Sequence, residues 1–287
     1  KEKEANKRAA RISKEEINTE NDENPSAASV FWQNPPWQGG KPKYRLGLAP
    51  IDLQNWFPVP MTEDIAAHKS HLLETCYNEV TAVVDDLNAA LTAQQALAAQ
   101  RPDAANTYPD LVANLAMQVP DDLCLMQTAL PQRLIAACVC SPSYWDVRTK
   151  IGRPLREIHQ PVESMNAKIG DPIERFIQNA PLMKPFERTN WFIHDDTQRF
   201  HNEPDETMKN GPEQWFVRSE RETLCRVHED YLLFTINPRF QPLADIAGYP
   251  EAQQDLLTTI AIFDEDEIEY FGGLEKCRQI KAFIESL

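Results

Sequence analysis

The sequence predicts an α+β fold in which an antiparallel sheet is flanked by helices toward both ends of the chain. Two patterns carry this prediction. Apolar residues recur at helical spacing after residue 62 and again after residue 250. Between these regions, short apolar or alternating segments bounded by turn-forming residues are typical of strands. Strands grouped inside flanking helices indicate an α+β domain.

The first part of the chain is predicted to contain a tail, a wrap and a helical layer. Residues 1–29 have almost no large apolar side chains, so we predict a disordered or partner-bound tail. Residues 30–133 are predicted to begin as an aromatic, proline-rich wrap over the core and to continue as helices. Thr62 can cap a helix that runs to about Leu91, and two short helices divided at Pro120 are expected after it.

The second part is predicted to contain the sheet. The predicted strands are 134–140, 186–194, 214–228 and 230–237. Residues 161–180 have helical character, with Pro161 in the first turn and an interruption near Gly170. We expect a core at 134–245 and C-terminal helices at 246–287, which together with residues 30–133 form one compact unit.

Composition excludes several classes of function. The 29 basic and 44 acidic residues give a net charge of −15, which disfavours nucleic acid or an anionic membrane as partner and favours a cationic ligand. No apolar run is long enough to span a bilayer. Six scattered cysteines without a CxxC pair indicate reduced thiols and a cytoplasmic location. The common nucleotide-binding, zinc-protease and acyl-transfer motifs are missing.

Two small clusters could hold a metal, although a structural role explains each of them better. His68, His71 and Glu74 share one side of a predicted helix, but no second histidine pair accompanies them, which favours a solvated helix face. Cys138 and Cys140 lie on the same face of a predicted strand and could bind a soft metal or a haem. Buried cysteine acting as a small hydrophobe is the favoured interpretation.

His159 is a more informative candidate. It follows an apolar residue and precedes Gln160-Pro161, so the chain around it is restricted. A neutral imidazole in such a pocket can ligate iron or act as a base if a carbonyl or carboxylate holds its second nitrogen. The alternative is a hydrogen-bonded core histidine.

Charged residues inside predicted strands form the other candidate. Alternation places one set of side chains of the 214–228 strand on a common face. These are Arg218, Glu220, Glu222, Leu224 and Arg226. The set is either a solvated face with cross-strand ion pairs or a polar site for an anion, an oxygen species or a cation. Arg188 and Asn190 likewise share one face of the 186–194 strand, opposite Trp191.

Six segments, in order along residues 45 to 240, resemble the haem-binding α subunit of haem-dependent oxidative N-demethylase. They are Arg45-Leu46-Gly47-Leu48, Asp121-Asp122-Leu123-Cys124-Leu125, Ser141-Pro142-Ser143-Tyr144-Trp145, Ile158-His159-Gln160-Pro161-Val162, Arg188-Thr189-Asn190-Trp191 and Arg218-Ser219-Glu220-Arg221-Glu222-Thr223-Leu224-Cys225-Arg226. The resemblance implies that the core is a PAS-like sheet holding haem b. It also implies that O2 is activated at the iron and that a small secondary amine such as dimethylamine is oxidised to a primary amine and formaldehyde.

Partner subunits are implied as well. In the family, electrons come from NADPH through a partner that carries FMN and a 2Fe-2S cluster, and this chain has none of those redox motifs. We therefore expect a hetero-oligomer containing a flavin and iron-sulfur reductase.

Carried over by position, the resemblance makes His159 the proximal iron ligand and Arg226 a donor to bound oxygen, with Glu222 near the substrate ammonium. The other residues expected around the cofactor are Arg218, Arg188, Asn190, Tyr144 and Trp145. Glu222 stands where the family usually has glutamine, His228 replaces a common proline, and Glu163 replaces another.

Alternatives remain open from the sequence. His194, His201, His228 or a cysteine could replace His159 as the iron ligand. A haem PAS gas sensor is a second function, although residues 245–287 offer only short helices as an output element. A cofactor-free interaction subunit is a third, in which the histidine and the strand charges are structural.

Overall fold

The computed structural model describes residues 27–159, 163–203 and 208–287. Most of the predicted tail, residues 1–26, lies outside these residues. Pro161 and its predicted place in a first helical turn lie outside them as well.

Seven strands of the described chain form one antiparallel sheet in the order β1-β5-β6-β7-β3-β4-β2. Their bounds are β1 Ala49–Pro50, β2 Thr81–Val83, β3 Asp122–Gln127, β4 Leu134–Cys138, β5 Phe186–His194, β6 Phe216–Arg226 and β7 Tyr231–Pro242. The pairing of β3 with β7 joins the β3-β4 hairpin to the β5-β6-β7 meander. The predicted α+β fold with an antiparallel sheet between helices is confirmed.

Helices precede, interrupt and follow the sheet. The α-helices are α1 Ala27–Gln33, α2 Glu63–Thr75, α3 Tyr77–Val80, α4 Leu87–Ala98, α5 Leu111–Ala116, α6 Leu155–Ile158, α7 Glu163–Met165, α8 Asp171–Asn179, α9 Pro250–Ala261, α10 Glu265–Tyr270 and α11 Leu274–Glu285. Shorter turns are the 3-10 helices Leu53–Asn55, Val147–Thr149, Pro212–Gln214 and Leu243–Gly248, and the π-helix Asn166–Gly170 joins α7 to α8. No helix in the described ranges is long and apolar enough to cross a membrane.

Two helix predictions are wrong. The helix predicted to run from Thr62 to about Leu91 ends at Thr75, and β2 occupies Thr81–Val83. The second short helix predicted after Pro120 is instead β3, in which five of six residues are buried. A strand buried on both faces has no polar alternation, so its apolar residues gave no signal that distinguishes strand from helix.

The two faces of the sheet pack against different parts of the chain. On one face, Leu125 of β3 and Leu233 of β7 pack with α4 and α5. On the other face, Cys124 and Phe234 pack with residues 145–158. We call this second face the connector face, because the described residues of the connection between β4 and β5, 139–159 and 163–185, pack over it.

The tryptophans of the N-terminal aromatic segment are buried. Trp32, Trp37 and Trp56 are at most 5% exposed. Trp37 donates from Nε1 to the carbonyl of Ala252 at 2.9 Å, and its ring lies 4.9 Å from that of Trp191. The segment therefore ties the sheet to the C-terminal helices.

Candidate functional site

Charged side chains meet on the connector face where β5 and β6 pair. Arg188 lies opposite Glu222, and Asn190 lies opposite Glu220. Arg218, two positions from Glu220, points to the same side of the sheet. The predicted alternation in both strands is confirmed.

Two ion pairs organise these charges. Arg188 Nε is 3.1 Å from Glu222 Oε2, and Arg218 Nε is 2.9 Å from Glu220 Oε1. Arg218 is fully buried and also donates to the carbonyl oxygens of Ser141 and Arg199. Among the described residues, Arg188 has Glu222 as its recorded partner and no second one. Arg188 is therefore the arginine here that can still donate to another group.

Glu222 is buried in a position that opposes its ionisation. Burial raises the pKa of its carboxyl above the ordinary value, and the negative charge of Glu220 adds to that effect. Arg188, Lys43 and a hydrogen bond from Asn190 act in the opposite direction. The protonation of Glu222 therefore depends on the cations around it.

His159 lies at the end of α6, on the connector that faces these charges. Its backbone N–H donates to the carbonyl of Leu155 at 3.1 Å. Burial, followed by the positive charges of Arg188 and Lys150, lowers the pKa of His159 to about 4. The imidazole is therefore neutral at pH 7, which is the form that binds a metal.

The side chain of His159 is partly accessible. Its side chain is only half-buried, although burial dominates its pKa, so it is enclosed by protein and still accessible. Neither ring nitrogen has a recorded hydrogen bond within the described residues, and the predicted neighbours Gln160-Pro161-Val162 lie outside them. The expected carbonyl or carboxylate partner of the second nitrogen stays a prediction.

Lys43, in the N-terminal segment, contacts the same group of polar side chains. The sequence did not single it out. Its Nζ donates to Asn190 Oδ1 at 2.8 Å and to the carbonyl of Trp191 at 2.6 Å. It lies 4.0 Å from the ring centroid of Phe192, within range of a cation–π interaction. Burial lowers the pKa of Lys43 to about 7, against the opposing effect of Glu220.

Tyr270, at the end of α10, also went unnoticed in the sequence. Burial, with Glu220 and Glu222, raises the pKa of its hydroxyl to about 12. The residue nevertheless remains 41% exposed, and its ring centroid lies 6.0 Å from that of Phe192. Tyr270 therefore lies close to the charged group and is still partly accessible.

Tyr144 and Trp145 follow β4, and their side chains contact different groups of residues. Trp145 packs in the apolar cluster that includes Leu155 and Ile158, beside His159. Tyr144 instead stacks on His201, with ring centroids 4.5 Å apart. The connector thus brings Trp145 near His159 and directs Tyr144 toward a second histidine group.

The other histidines considered as ligands are engaged elsewhere. His194 is 1% exposed, and its Nε2 lies 3.0 Å from Ser143 Oγ. Burial lowers the pKa of His194 to about 2. His201 Nε2 lies 3.0 Å from Asp196 Oδ1, and His228 Nδ1 accepts from the backbone N–H of Asp230 at 3.2 Å.

Arg226 does not join the charged group. Its guanidinium donates to the carbonyls of Gln178 and Ala180 at 3.3 Å, and to that of Glu229 in the β6-β7 turn. It lies four residues along the strand from Glu222, a distance of about 13 Å. In this position it fastens the end of α8 to the hairpin.

The two clusters weighed as metal sites have structural contacts. His68 Nε2 lies 2.7 Å from the carbonyl of Cys140. Cys138 and Cys140 are buried in the apolar cluster against α4 and α5, with sulfur atoms 3.9 Å apart. Within the ranges that the structure describes, no three histidine, cysteine or acidic side chains are grouped to hold a metal.

A family model described as haem-dependent oxidative N-demethylase, alpha subunit-like, matches residues 71–279, which is more than half of the chain. The chain belongs to this family. The family description, an alpha subunit, implies a multi-subunit assembly. No curated protein matches the chain.

The match to the demethylase family covers strands β2 to β7 and the residues of the connector face. His159, Arg188, Glu222 and Tyr270 lie inside it, whereas Lys43 precedes it.

The side chains around His159 fit the haem that the demethylase family name implies. The imidazole is neutral, as an axial ligand must be. Leu224, Leu232 and Phe234 supply an apolar wall on the connector face. Arg188 and Lys150 are cations close enough to His159 to lower its pKa, and cations in that position can pair with haem propionates.

Proposed function

We propose that this chain is the catalytic subunit of a haem-dependent mono-oxygenase that removes a methyl group from a small secondary amine such as dimethylamine. The balanced reaction converts the amine, O2, NADPH and a proton to a primary amine, formaldehyde, NADP+ and water. One oxygen atom ends in formaldehyde and the other in water. The observation that supports it is that His159 is neutral and lies near enough to Arg188 to feel its charge, while Arg188 pairs with the buried Glu222.

Haem b, when bound, supplies oxygen activation and accepts electrons one at a time. The chain's own contribution begins with His159, whose low pKa keeps a lone pair available for iron at neutral pH. Leu224 and Phe234 exclude water from the space beside it. Arg188 offers hydrogen-bond donors toward the same space and stabilises negative charge that develops there.

Recognition of a cationic amine is the task we assign to Glu222, Asn190 and Phe192. A dialkylamine is protonated at neutral pH, and a carboxylate with an aromatic face nearby stabilises an alkylammonium. Lys43, with a pKa of about 7, can give up its own proton when a second cation enters. That release keeps the local charge constant as substrate binds.

The electron donors are proposed to be partner subunits. We expect NADPH to be oxidised on a partner that holds FMN and a 2Fe-2S cluster, which makes the working enzyme a hetero-oligomer. We also propose a cytoplasmic location, since the cysteines of the described chain are free thiols.

The first test is the absorbance spectrum of the purified protein in the oxidised, dithionite-reduced and CO-bound states, with His159→Ala beside the wild type. We expect a Soret band in the wild type and a lost or shifted band in the variant, because the axial nitrogen is removed. His228→Ala is the matched control, since His228 is a half-buried histidine at the β6-β7 turn.

Formaldehyde release from dimethylamine, measured with the reductase partner present, follows if haem is found. A protein that gains no Soret band even after haem reconstitution would refute the mono-oxygenase. An unchanged spectrum in His159→Ala would refute His159 as the ligand and leave haem binding intact.

A further inference from the structure

A second cleft lies on the face of β5 and β6 that points away from the connector. Its volume is about 560 Å³, and its walls come from α1, the chain between α1 and β1, and strands β5 to β7. The strand residues that line it include Thr189, Ser219 and Arg239, whose positions alternate with those of the connector-face site. Arg188 of the connector-face site also lines this cleft, so the two sites adjoin at β5.

Positive charge dominates this cleft, against the balance of the whole chain. Lys41, Arg45, Arg188, Arg221 and Arg239 line it, and Glu187 is the acidic residue among its lining residues. The chain as a whole carries a net charge of −15. Because the rest of this acidic protein repels anions, an anion is attracted mainly to the concave site where the cations are concentrated.

Three of these cations are available to a ligand. Lys41, Arg45 and Arg239 are exposed, and none has a recorded side-chain hydrogen bond or ion pair with a described residue. Like charges gathered without counter-ions repel one another, so a bound anion stabilises this arrangement.

Arg221 is held in place by the protein. Its Nε donates to Glu187 Oε2 at 2.7 Å, and its Nη1 donates to the carbonyl of Trp56 at 2.9 Å. A guanidinium fixed in this way loses little entropy when an oxyanion arrives. Arg221 is therefore held in a fixed position, next to the exposed side chains of Arg45 and Arg239.

The remaining walls suit an organic group. Phe31 and two prolines, Pro35 and Pro36, form an apolar side of the cleft. A ring stacks on such surfaces, whereas the arginine forks match the oxygens of a phosphate. The volume lies within the range of about 300–1,000 Å³ that is usual for small-molecule sites.

We propose that this cleft binds a phosphate-bearing small molecule of nucleotide size, with its phosphates on Arg45, Arg221 and Arg239 and its ring against Phe31. The proposed phosphate donors differ from the residues assigned to amine oxidation, although Arg188 borders both sites. Phe31, Lys41 and Arg45 precede the residues that match the family model.

The test uses the full-length protein and ATP as probe, titrated in a calorimeter at low and at high salt. We expect ATP to bind, adenosine to bind much more weakly, and high salt to weaken ATP binding because the contacts are ionic. The double variant Arg45→Ser/Arg239→Ser should bind ATP at least about tenfold more weakly, since two phosphate donors are removed.

The matched control is Arg153→Ser/Arg175→Ser, which removes two exposed arginines from the connector side. It should bind ATP as the wild type does, and the Soret spectrum should be the same in both double variants. Equal loss of ATP binding in the two variants, equal affinity for adenosine and ATP, or no ATP binding at millimolar concentration would each overturn the proposal. Binding of an acidic peptide in place of ATP would overturn it in favour of a protein partner.

Discussion

At the scale of single residues, alternation along a strand was enough to find the strand residues of the candidate site. Arg188, Asn190 and Glu222 could be assigned to one face because side chains of a strand point alternately to its two sides. Lys43 and Tyr270 could not, because they come from distant parts of the chain and only the folded molecule brings them to Phe192. Lys43 lies in the segment Lys41-Pro42-Lys43-Tyr44, which has no helical or strand periodicity.

The buried ammonium of Lys43 gives stability a specific pH dependence. Its pKa is about 7 in the folded chain and about 10.4 when exposed, so the unfolded chain binds more protons between these values. Stability from this residue therefore rises as pH increases from 7 toward 10, by up to about 1.4 kcal/mol per pH unit. Below pH 7 both states are protonated, and the full cost of burying the charge remains.

Lys43→Met should remove that slope, because methionine keeps much of the volume and has no proton to lose. The measurement is the free energy of urea unfolding from pH 6 to 9, compared between wild type and variant. Lys281→Met, at a side chain that is 64% exposed, is the control. A difference between wild type and Lys43→Met that stays constant over this range would contradict the buried, perturbed lysine.

At the scale of elements, strands with one clear pattern were predictable and the short or fully buried ones were not. The predicted strand 186–194 coincides with β5, which is rich in aromatic and β-branched residues. By contrast, β2 has only three residues, too few to show a period. The long hairpin from β6 to β7 was found because β-branched and aromatic residues recur on both sides of its turn.

Arg226 marks the junction between one helix and this hairpin, and its replacement should weaken the junction. Arg226→Ala removes charge-assisted hydrogen bonds to the carbonyls of Gln178, Ala180 and Glu229. We expect a loss of about 1–3 kcal/mol in the free energy of unfolding. Arg175→Ala on the same helix should cost much less, since that side chain is exposed.

The same variant tests the role that the family resemblance gave to Arg226. If Arg226 only fastens α8, the CO-bound spectrum of Arg226→Ala should match that of the wild type. A shifted CO-bound spectrum with unchanged stability would instead support a donor to the iron-bound gas.

At the scale of the whole molecule, the N-terminal aromatic segment is part of the core. Trp37 is fully buried and contacts Trp191 of β5, while its Nε1 donates to the carbonyl of Ala252 in α9. It thus joins three regions that are far apart in sequence. Aromatic content predicted that this segment packs somewhere, but only the folded chain reveals that it meets the C-terminal helices.

Trp37→Ala should therefore act on the whole fold, with a loss of about 3–5 kcal/mol in the free energy of unfolding. The effect should be measured by urea unfolding, with Leu91→Ala as control, because Leu91 is 50% exposed. A loss below about 1 kcal/mol would contradict the packing of this segment on β5.

The placement of Lys43 divides the site between the stretch that matches the family model and the chain before it. The stretch that matches the demethylase family supplies His159, Arg188 and Glu222, while the chain before it supplies the ammonium that caps the outer edge of β5. A change at Lys43 would alter what covers this side of β5 and leave Trp37 and the strands that carry Arg188 and Glu222 in place. Under the function proposed above, relatives that keep Trp37 and replace Lys43 would be expected to differ in which amine they accept.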